Sequence, residues 1–273
     1  MRYFIVSRID REEAIAFAGT LADDLRMAGH MVLIEHDTAE TMKRDGGISF
    51  EELPGRADLV VAVGGDGTVL RAVAKMQPQL PVIGINWGEV GFLADLERGH
   101  ALEFLTALKP GFPVEKRMRL AFESDHGPVG DALNEALIVT SRPAKMLRFS
   151  IVIDGDVAET FRADGIILST PTGSTAYAMS AGGPIVDPWI DGVLIVPLAP
   201  YMLSSRPHII STDRKIEIRL ESTKPANLVI DGVEVEPLGL SGSIQVTRSA
   251  DPALFVKSER TFFEKVEQKL RRL

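Results

Sequence analysis

Apolar and polar positions along this chain follow two different periods, and the change from one to the other divides it. In the first hundred residues the short apolar runs "YFIVS", "HMVLIE", "ADLVVAV" and "PVIGIN" read as strands. Between them, residues 11–28 and the stretch "TVLRAVAKM" carry apolar residues near helical spacing. Strand, helix and strand in succession predict parallel strands joined by crossover helices. Ligands of such sheets sit beyond the carboxyl ends of the strands.

From about Lys116 the texture changes. "KIEIRLE" alternates with period two, and "SIQVT" does so more briefly. "IVIDGDVAE" and "LVIDGVEVE" each set Asp-Gly between strand-like runs, a strong hairpin signal. The stretch "RTFFEKVEQKLRRL" is an amphipathic helix that packs its apolar face on a domain rather than on a membrane. The predicted fold is α/β plus all-β. A Rossmann-like α/β domain spans 1–110 and an antiparallel β domain spans 111–250. Residues 251–273 form a segment and helix returning to the N-terminal domain.

Composition narrows the function classes. The 273 residues can bury a sizeable core, and no apolar run approaches the roughly 20 residues of a membrane span. "MRYFIVSRIDREE" reads as a first strand, not a signal peptide. The absence of cysteine excludes disulfides, thiolate metal sites and cysteine nucleophiles, and fits the cytoplasm. A formal charge of −8 argues against nucleic-acid binding. The five histidines show no metal-ligand spacing, so no metal site is predicted from a side-chain cluster.

The chemistry concentrates in a few loops. "VVAVGGDGTVLRA" runs a strand into Gly64-Gly65-Asp66-Gly67-Thr68 and then into a helix. Glycines let backbone N–H groups approach a phosphate, and Thr68 can cap the helix behind it. A phosphate cradle should nonetheless avoid a carboxylate. Asp66 therefore holds a cation, faces a hydroxyl that must lose a proton, or merely caps the helix. Neither a P-loop nor G-x-G-x-x-G is present. In "GINWGEVGFLAD", Gly88 and Gly91 form a second candidate loop that presents Phe92 to a flat ligand or to the core. The densest signal is "RADGIILSTPTGSTAYAMSAGGPI", where a strand over 166–168 runs into a hydroxyl-rich loop and a small-residue helical segment. Its hydroxyls can bond ribose, phosphate or base edges. Ala176 and Ala178 leave room for a planar ring, and Tyr177 can stack on it. In "DALNEALIVTS", Asn134 and Glu135 place an amide beside a carboxylate, a pair suited to a nucleoside or to a surface turn.

Taken in order, "GGDGT", "GINWGEVGF", "NEA", "DGIILSTPTGSTAYAMSAGGPI" and "LSSRP" closely resemble the NAD kinase family. The likeness runs from about residue 58 to 231 and is weak before it. GGDG alone marks only a wider group that includes diacylglycerol and sphingosine kinases and phosphofructokinases. The resemblance implies transfer of the terminal phosphate of ATP, or of polyphosphate, to the 2′-hydroxyl of the adenosine ribose of NAD. It implies Asp66 as the base, with Mg²⁺ travelling on the nucleotide near Asp66. It also implies that Gly67 and Phe92 meet the dinucleotide and that Asn134 and Glu135 contact adenine and ribose. Asp164 falls to the nicotinamide-ribose end. Thr175, Ala176, Tyr177, Ala178, Met179 and Ser180 fall to the adenine and nicotinamide pockets. Arg162, Arg71 and Lys145 are the candidate partners of phosphate charge, the last two equally readable as surface charges. A homodimer or homotetramer built through the β domain is implied as well.

Three positions depart from the family pattern. Asp231-Gly232-Val233 stands where DGQ is frequent, Tyr201 where a His is common, and Trp87 where smaller or basic residues are usual. Two other readings compete. A lipid or sugar kinase of the wider group keeps Asp66 but has no need of the Thr170–Tyr177 loop. A non-catalytic dinucleotide sensor gains nothing from a carboxylate beside phosphate.

Overall fold

The computed structural model describes residues 1–87, 91–142, 145–202, 204–257 and 260–270. They fall into two compact units, 1–116 with 253–273, and 117–252. No described helix is long and apolar enough to cross a membrane.

The first unit is α/β. In chain order it contains β1 (Arg2–Ser7), α1 (Glu12–Met27), β2 (Met31–Ile34), α2 (His36–Thr41), β3 (Leu59–Gly64), α3 (Asp66–Lys75), β4 (Pro81–Asn86), β5 (Ala94–Glu97), α4 (Ala101–Ala107) and β6 (Val114–Arg117). The sheet runs β2-β1-β3-β4-β17-β6, where β17 is Ala253–Val256, and β5 adds to β4. The pairings β1–β2, β1–β3, β3–β4, β4–β5 and β4–β17 are all parallel. Tyr3, Ile5, Leu59, Val61 and Val63 pack against Ala14, Ala18, Leu21 and Leu25 of α1, so the strand interiors read as unbroken apolar runs. The chain leaves β1 for β2 on one side and returns to β3 on the other. The carboxyl ends of β1 and β3 are therefore a switch point, where ligands of open α/β sheets collect.

The second unit is antiparallel. Its elements are β7 (Leu120–Ser124), β8 (Gly127–Ala132), β9 (Glu135–Thr140), β10 (Leu147–Ile153), β11 (Asp156–Ala163), β12 (Gly165–Ser169), α5 (Tyr177–Ser180), β13 (Gly192–Leu198), β14 (His208–Ser211), β15 (Ile216–Ile230) and β16 (Val233–Arg248). The ten-stranded sheet runs β14-β13-β12-β9-β15-β16-β7-β8, with β10 and β11 joined at β15. Both Asp-Gly signals are hairpin turns. Asp154-Gly155 joins β10 to β11 and Asp231-Gly232 joins β15 to β16, with all four residues at positive φ. That is the backbone a two-residue hairpin loop requires. After β17, α6 (Phe262–Leu270) closes the first unit.

Candidate functional site

On the α/β unit the glycine loop is shaped by its own packing. A Cβ on Gly64 would lie 2.2 Å from Thr68 Oγ1, so only glycine lets the strand turn this closely into α3. Gly65 is the N-cap, extended at φ −96° and ψ −170°, and no side chain caps the helix. Thr68, which could have capped the helix by its residue type, does not; it is buried inside the first turn, against Gly64. At Gly65 and Gly67 an added Cβ would meet nothing within 4 Å. Packing does not ask for glycine there, whereas a ligand approaching the backbone would.

Asp66 is not a cap either. It opens α3 and sends its carboxylate across to the β5 segment. Oδ2 accepts the Phe92 N–H at 2.9 Å, and Oδ1 accepts the N–H groups of Leu93 and Ala94, each at 3.0 Å. A Cβ on Gly91 would lie 2.0 Å from Asp66 Oδ1, which gives that glycine its reason. Gly88, the other glycine of this predicted loop, lies outside the described residues. A carboxylate has roughly four acceptor positions. The described residues fill three, leaving one on Oδ2. The result is a half-buried carboxylate with a fixed direction and one acceptor position unused among the described residues.

Neighbouring predicted residues sit as follows. Phe92 is half-buried, its ring under Lys269 Nζ at 4.3 Å from the centroid and 6.4 Å from the ring of Phe262. Arg71 reaches over the switch point, donating from Nη2 to Ser7 O at 2.9 Å. Its nitrogens also lie 3.9 Å from Glu35 Oε2 and from Asp37 Oδ2. Much of its charge is thus already faced by carboxylates.

On the β unit a second carboxylate is held in the same manner. Asp231 Oδ2 accepts Leu133 N–H at 2.7 Å, and Oδ1 accepts Asn134 and Glu135 N–H at 2.8 and 3.1 Å. Asp231 N–H returns a bond to Glu135 O at 3.0 Å. The hairpin turn thereby fixes the Asn134-Glu135 corner at the start of β9, a role that its Asp-Gly signature alone did not reveal. Glu135 Oε2 is buried without a hydrogen-bond partner among the described residues. Burial, and then the charge of Asp231, push the Glu135 carboxyl up to about 7, against the pull of the Tyr177 backbone N–H. Burial also raises Asp231, while its three amide donors and Arg119 pull it down.

The hydroxyl-rich loop folds onto this corner. Thr170 Oγ1 donates to Leu133 O at 2.6 Å and accepts from Gly173 N–H at 3.0 Å. Ser169 Oγ donates to the carbonyls of Asn134 and Thr170. Ser174 Oγ bonds Val186 in both directions, and Thr175 Oγ1 donates to Thr172 O at 3.3 Å. These hydroxyls are spent on holding the loop, not displayed. A Cβ on Gly173 would lie 2.2 Å from Asn134 O, so the loop meets the corner backbone to backbone. Beyond Thr175, Ala176 is half-buried and Tyr177 is 42% exposed. Ala178 is fully buried against Ile167, Val186, Leu194 and Val196. Met179 is half-buried and Ser180 exposed. Asp164 is held by its backbone between Leu198 O and Thr140 N, its side chain half-exposed. Arg162 is exposed, its guanidinium 4.7 Å from the ring centroid of Tyr201. Lys145 is exposed at the entry to β10.

Among the described residues no group of three or more His, Asp or Glu side chains could hold a metal. The single open position on Asp66 Oδ2 suits either a proton donor or one bond to a cation, not both at once, and a cation there would take its other ligands from elsewhere.

Residues 4–111 match the family described as ATP-NAD kinase N-terminal domain, and residues 133–258 the ATP-NAD kinase C-terminal domain. The chain is 58% identical over 273 residues, the whole of both chains, to an NAD kinase of Methanoculleus marisnigri. It is 37% identical to the NAD kinase of Thermococcus kodakarensis over 99% of each chain. In structure it resembles an Archaeoglobus fulgidus NAD kinase solved with ATP, with a TM-score of 0.81 and 30% identity over all of both chains. A yeast NADH kinase solved with NADH superposes with a TM-score of 0.90 at 25% identity, covering 99% of this chain and 87% of that one. With two domain families matched in order and relatives alike from end to end, the chain belongs to the NAD kinase family.

Proposed function

We propose that this chain transfers the terminal phosphate of ATP to the 2′-hydroxyl of the adenosine ribose of NAD, with Asp66 as the general base. Polyphosphate is the alternative donor. The observation that carries the reading is the Asp66 carboxylate, aimed by three backbone amides and left with one acceptor position on Oδ2. In the reaction the ribose oxygen attacks the γ-phosphorus, the bond to ADP breaks, and the hydroxyl proton passes to Oδ2. Such base assistance contributes typically about 10²–10⁴-fold, and positioning and charge stabilisation supply the rest. A divalent metal, Mg²⁺ in our reading, would be held chiefly by the nucleotide phosphates and would supply neutralisation of the charge on the leaving group.

The other roles follow the chemistry of each residue. Gly67, exposed and free of neighbours, lets the dinucleotide approach the backbone, and Phe92 offers it a ring face. Asn134 and Glu135 take adenine and ribose, with the unpartnered Glu135 Oε2 as acceptor for a ribose hydroxyl. Asp164 takes the nicotinamide ribose, while Thr175, Ala176, Tyr177, Met179 and Ser180 line the ring pockets. Ala178 contributes by filling the core beneath them. Arg162, exposed, is the first candidate cation for phosphate; Lys145 is open to it, and Arg71 acts with the part of its charge that Glu35 and Asp37 leave uncompensated. The proposed assembly is a homodimer or homotetramer in the cytoplasm, which light scattering and fractionation test.

Incubation with Mg²⁺-ATP and NAD, and in parallel with polyphosphate, provides the test of function. NADP forms with the wild type, and Asp66→Asn abolishes turnover while still binding NAD. A wild-type protein that binds NAD without turning it over sinks the reading.

A further inference from the structure

The residues that aim Asp66 are themselves gripped from far along the chain. The Asp66 carboxylate is only as well directed as the amides of Phe92, Leu93 and Ala94. Those amides enter β5, whose pairing with β4 is irregular. Gly84 faces Ala94 and Ile85 faces Leu96, so Asp95 has no opposite residue on β4. A bulge of this kind re-aims the local backbone, and the ladder alone does not fix it at the extra residue. Asp95 is the extra residue, and it immediately follows the last of the three donors.

What fixes Asp95 is α6. Lys265 Nζ lies 2.5 Å from Asp95 Oδ2, with the two side chains only 10% and 7% exposed. The contact is one of charge, since no donor is aligned on Oδ2 for a hydrogen bond among the described residues. On either side of this pair the same segment holds the same strap. Lys269 lies over the Phe92 ring, and Arg260 Nη2 lies 2.5 Å from Glu97 Oε1. Taking two charges out of water is costly, and an apolar pair of similar volume often stabilises a fold as well or better. Stability alone therefore gives little reason for a buried Lys–Asp pair at a bulge. Fixing the direction of one backbone segment gives a better one.

We infer that Lys265, acting through Asp95, is a positioning residue that holds the β5 amides in the register that aims the Asp66 carboxylate. The inference rests on the proposed role of Asp66 as base.

Four variants of the full chain test it by steady-state kinetics and thermal unfolding: Lys265→Met, Lys265→Arg, the double variant Asp95→Leu with Lys265→Met, and Asp66→Asn. Lys265→Met lowers kcat about 10–100-fold while KM for NAD and for ATP stays within about twofold. Lys265→Arg keeps the charge and recovers most of kcat. The double variant replaces the ion pair by apolar contact, so its Tm returns to the wild-type value or above it, yet kcat stays low. If Lys265→Met does not fold, the arginine and double variants carry the test alone. A double variant with wild-type kcat beside an inactive Asp66→Asn overturns the positioning role only. An Asp66→Asn protein with wild-type kcat overturns the base assignment, and the positioning role with it.

Discussion

Replacing Glu135 with Gln should make the protein more stable at alkaline pH and leave it little changed in acid. The carboxyl is pushed from 4.5 to about 7, first by burial and then by the charge of Asp231. At about 1.4 kcal/mol per unit, the ionised form costs the folded state about 3 kcal/mol, an upper limit because nearby polar groups relax around the charge. Below pH 4.5 the folded and unfolded chains both keep the proton, and the cost is absent. As pH rises toward 7 the unfolded chain loses its proton while the folded chain retains it, so stability falls. Above about 7 both are ionised and the loss is complete. Glutamine carries no charge, so the variant lacks this decline. Urea unfolding of both proteins, followed by circular dichroism at intervals between pH 4.5 and 8.5, isolates the effect as a difference. Titrating groups remote from Glu135 are common to the two and cancel, and Asp231, coupled to it, belongs to the measured difference. The variant should gain on the wild type by up to about 3 kcal/mol across the window. Parallel stability curves would refute the reasoning, because they would mean that Glu135 titrates at its ordinary value.

Two glycines offer independent tests. Gly91→Ala places a methyl group 2.0 Å from Asp66 Oδ1. It should displace the carboxylate and lower kcat by about 10²-fold, read in the NADP-forming assay with the wild type alongside. Unimpaired turnover would show that the carboxylate tolerates being moved. Gly173→Ala places a methyl group 2.2 Å from the Asn134 carbonyl oxygen and 2.5 Å from its carbon, backbone atoms that cannot swing aside. It should destabilise the β unit by about 1–3 kcal/mol and raise KM for NAD. Thermal unfolding and NAD titration of the same sample measure both effects.

The sequence made the local elements legible because their signals are local. The period of the early strands and of α3, and the two Asp-Gly turns, gave elements that the structure contains. The insertion of β17 between β4 and β6 was not legible. "ALFV" is four apolar residues with no period of their own, and its partner on β4 is chosen by tertiary packing. The same holds at the site. Asp66 stood out because a carboxylate among glycines is chemically odd, yet the amides that aim it come from residues 92–94 and carry no side-chain signature. Asp231 read as a turn residue because αL backbone favours Asp, while its carboxylate bonds are made to a corner almost a hundred residues earlier in the chain. Thr68 offers a cap by type, since Ser and Thr hydroxyls often serve that way, but it does not act as one. Here Gly64 and Gly65 already make the turn, and the hydroxyl fills the space beneath it.

The discontinuity of the α/β unit bears on how this protein is made. During synthesis β1 to β5 emerge first, but the strand that completes the pairing of β4 is β17, with the whole β unit between them in sequence. Until it arrives, the start of β4 around Pro81 and Val82, which β5 does not pair, presents unpaired peptide groups, the kind of edge on which partly made chains stick to one another. The β unit, by contrast, is continuous over 117–252 and can close while its predecessor still waits. A nascent chain stalled before residue 253 would therefore carry one finished unit and one open sheet. It is at that stage, more than after release, that it would need a chaperone.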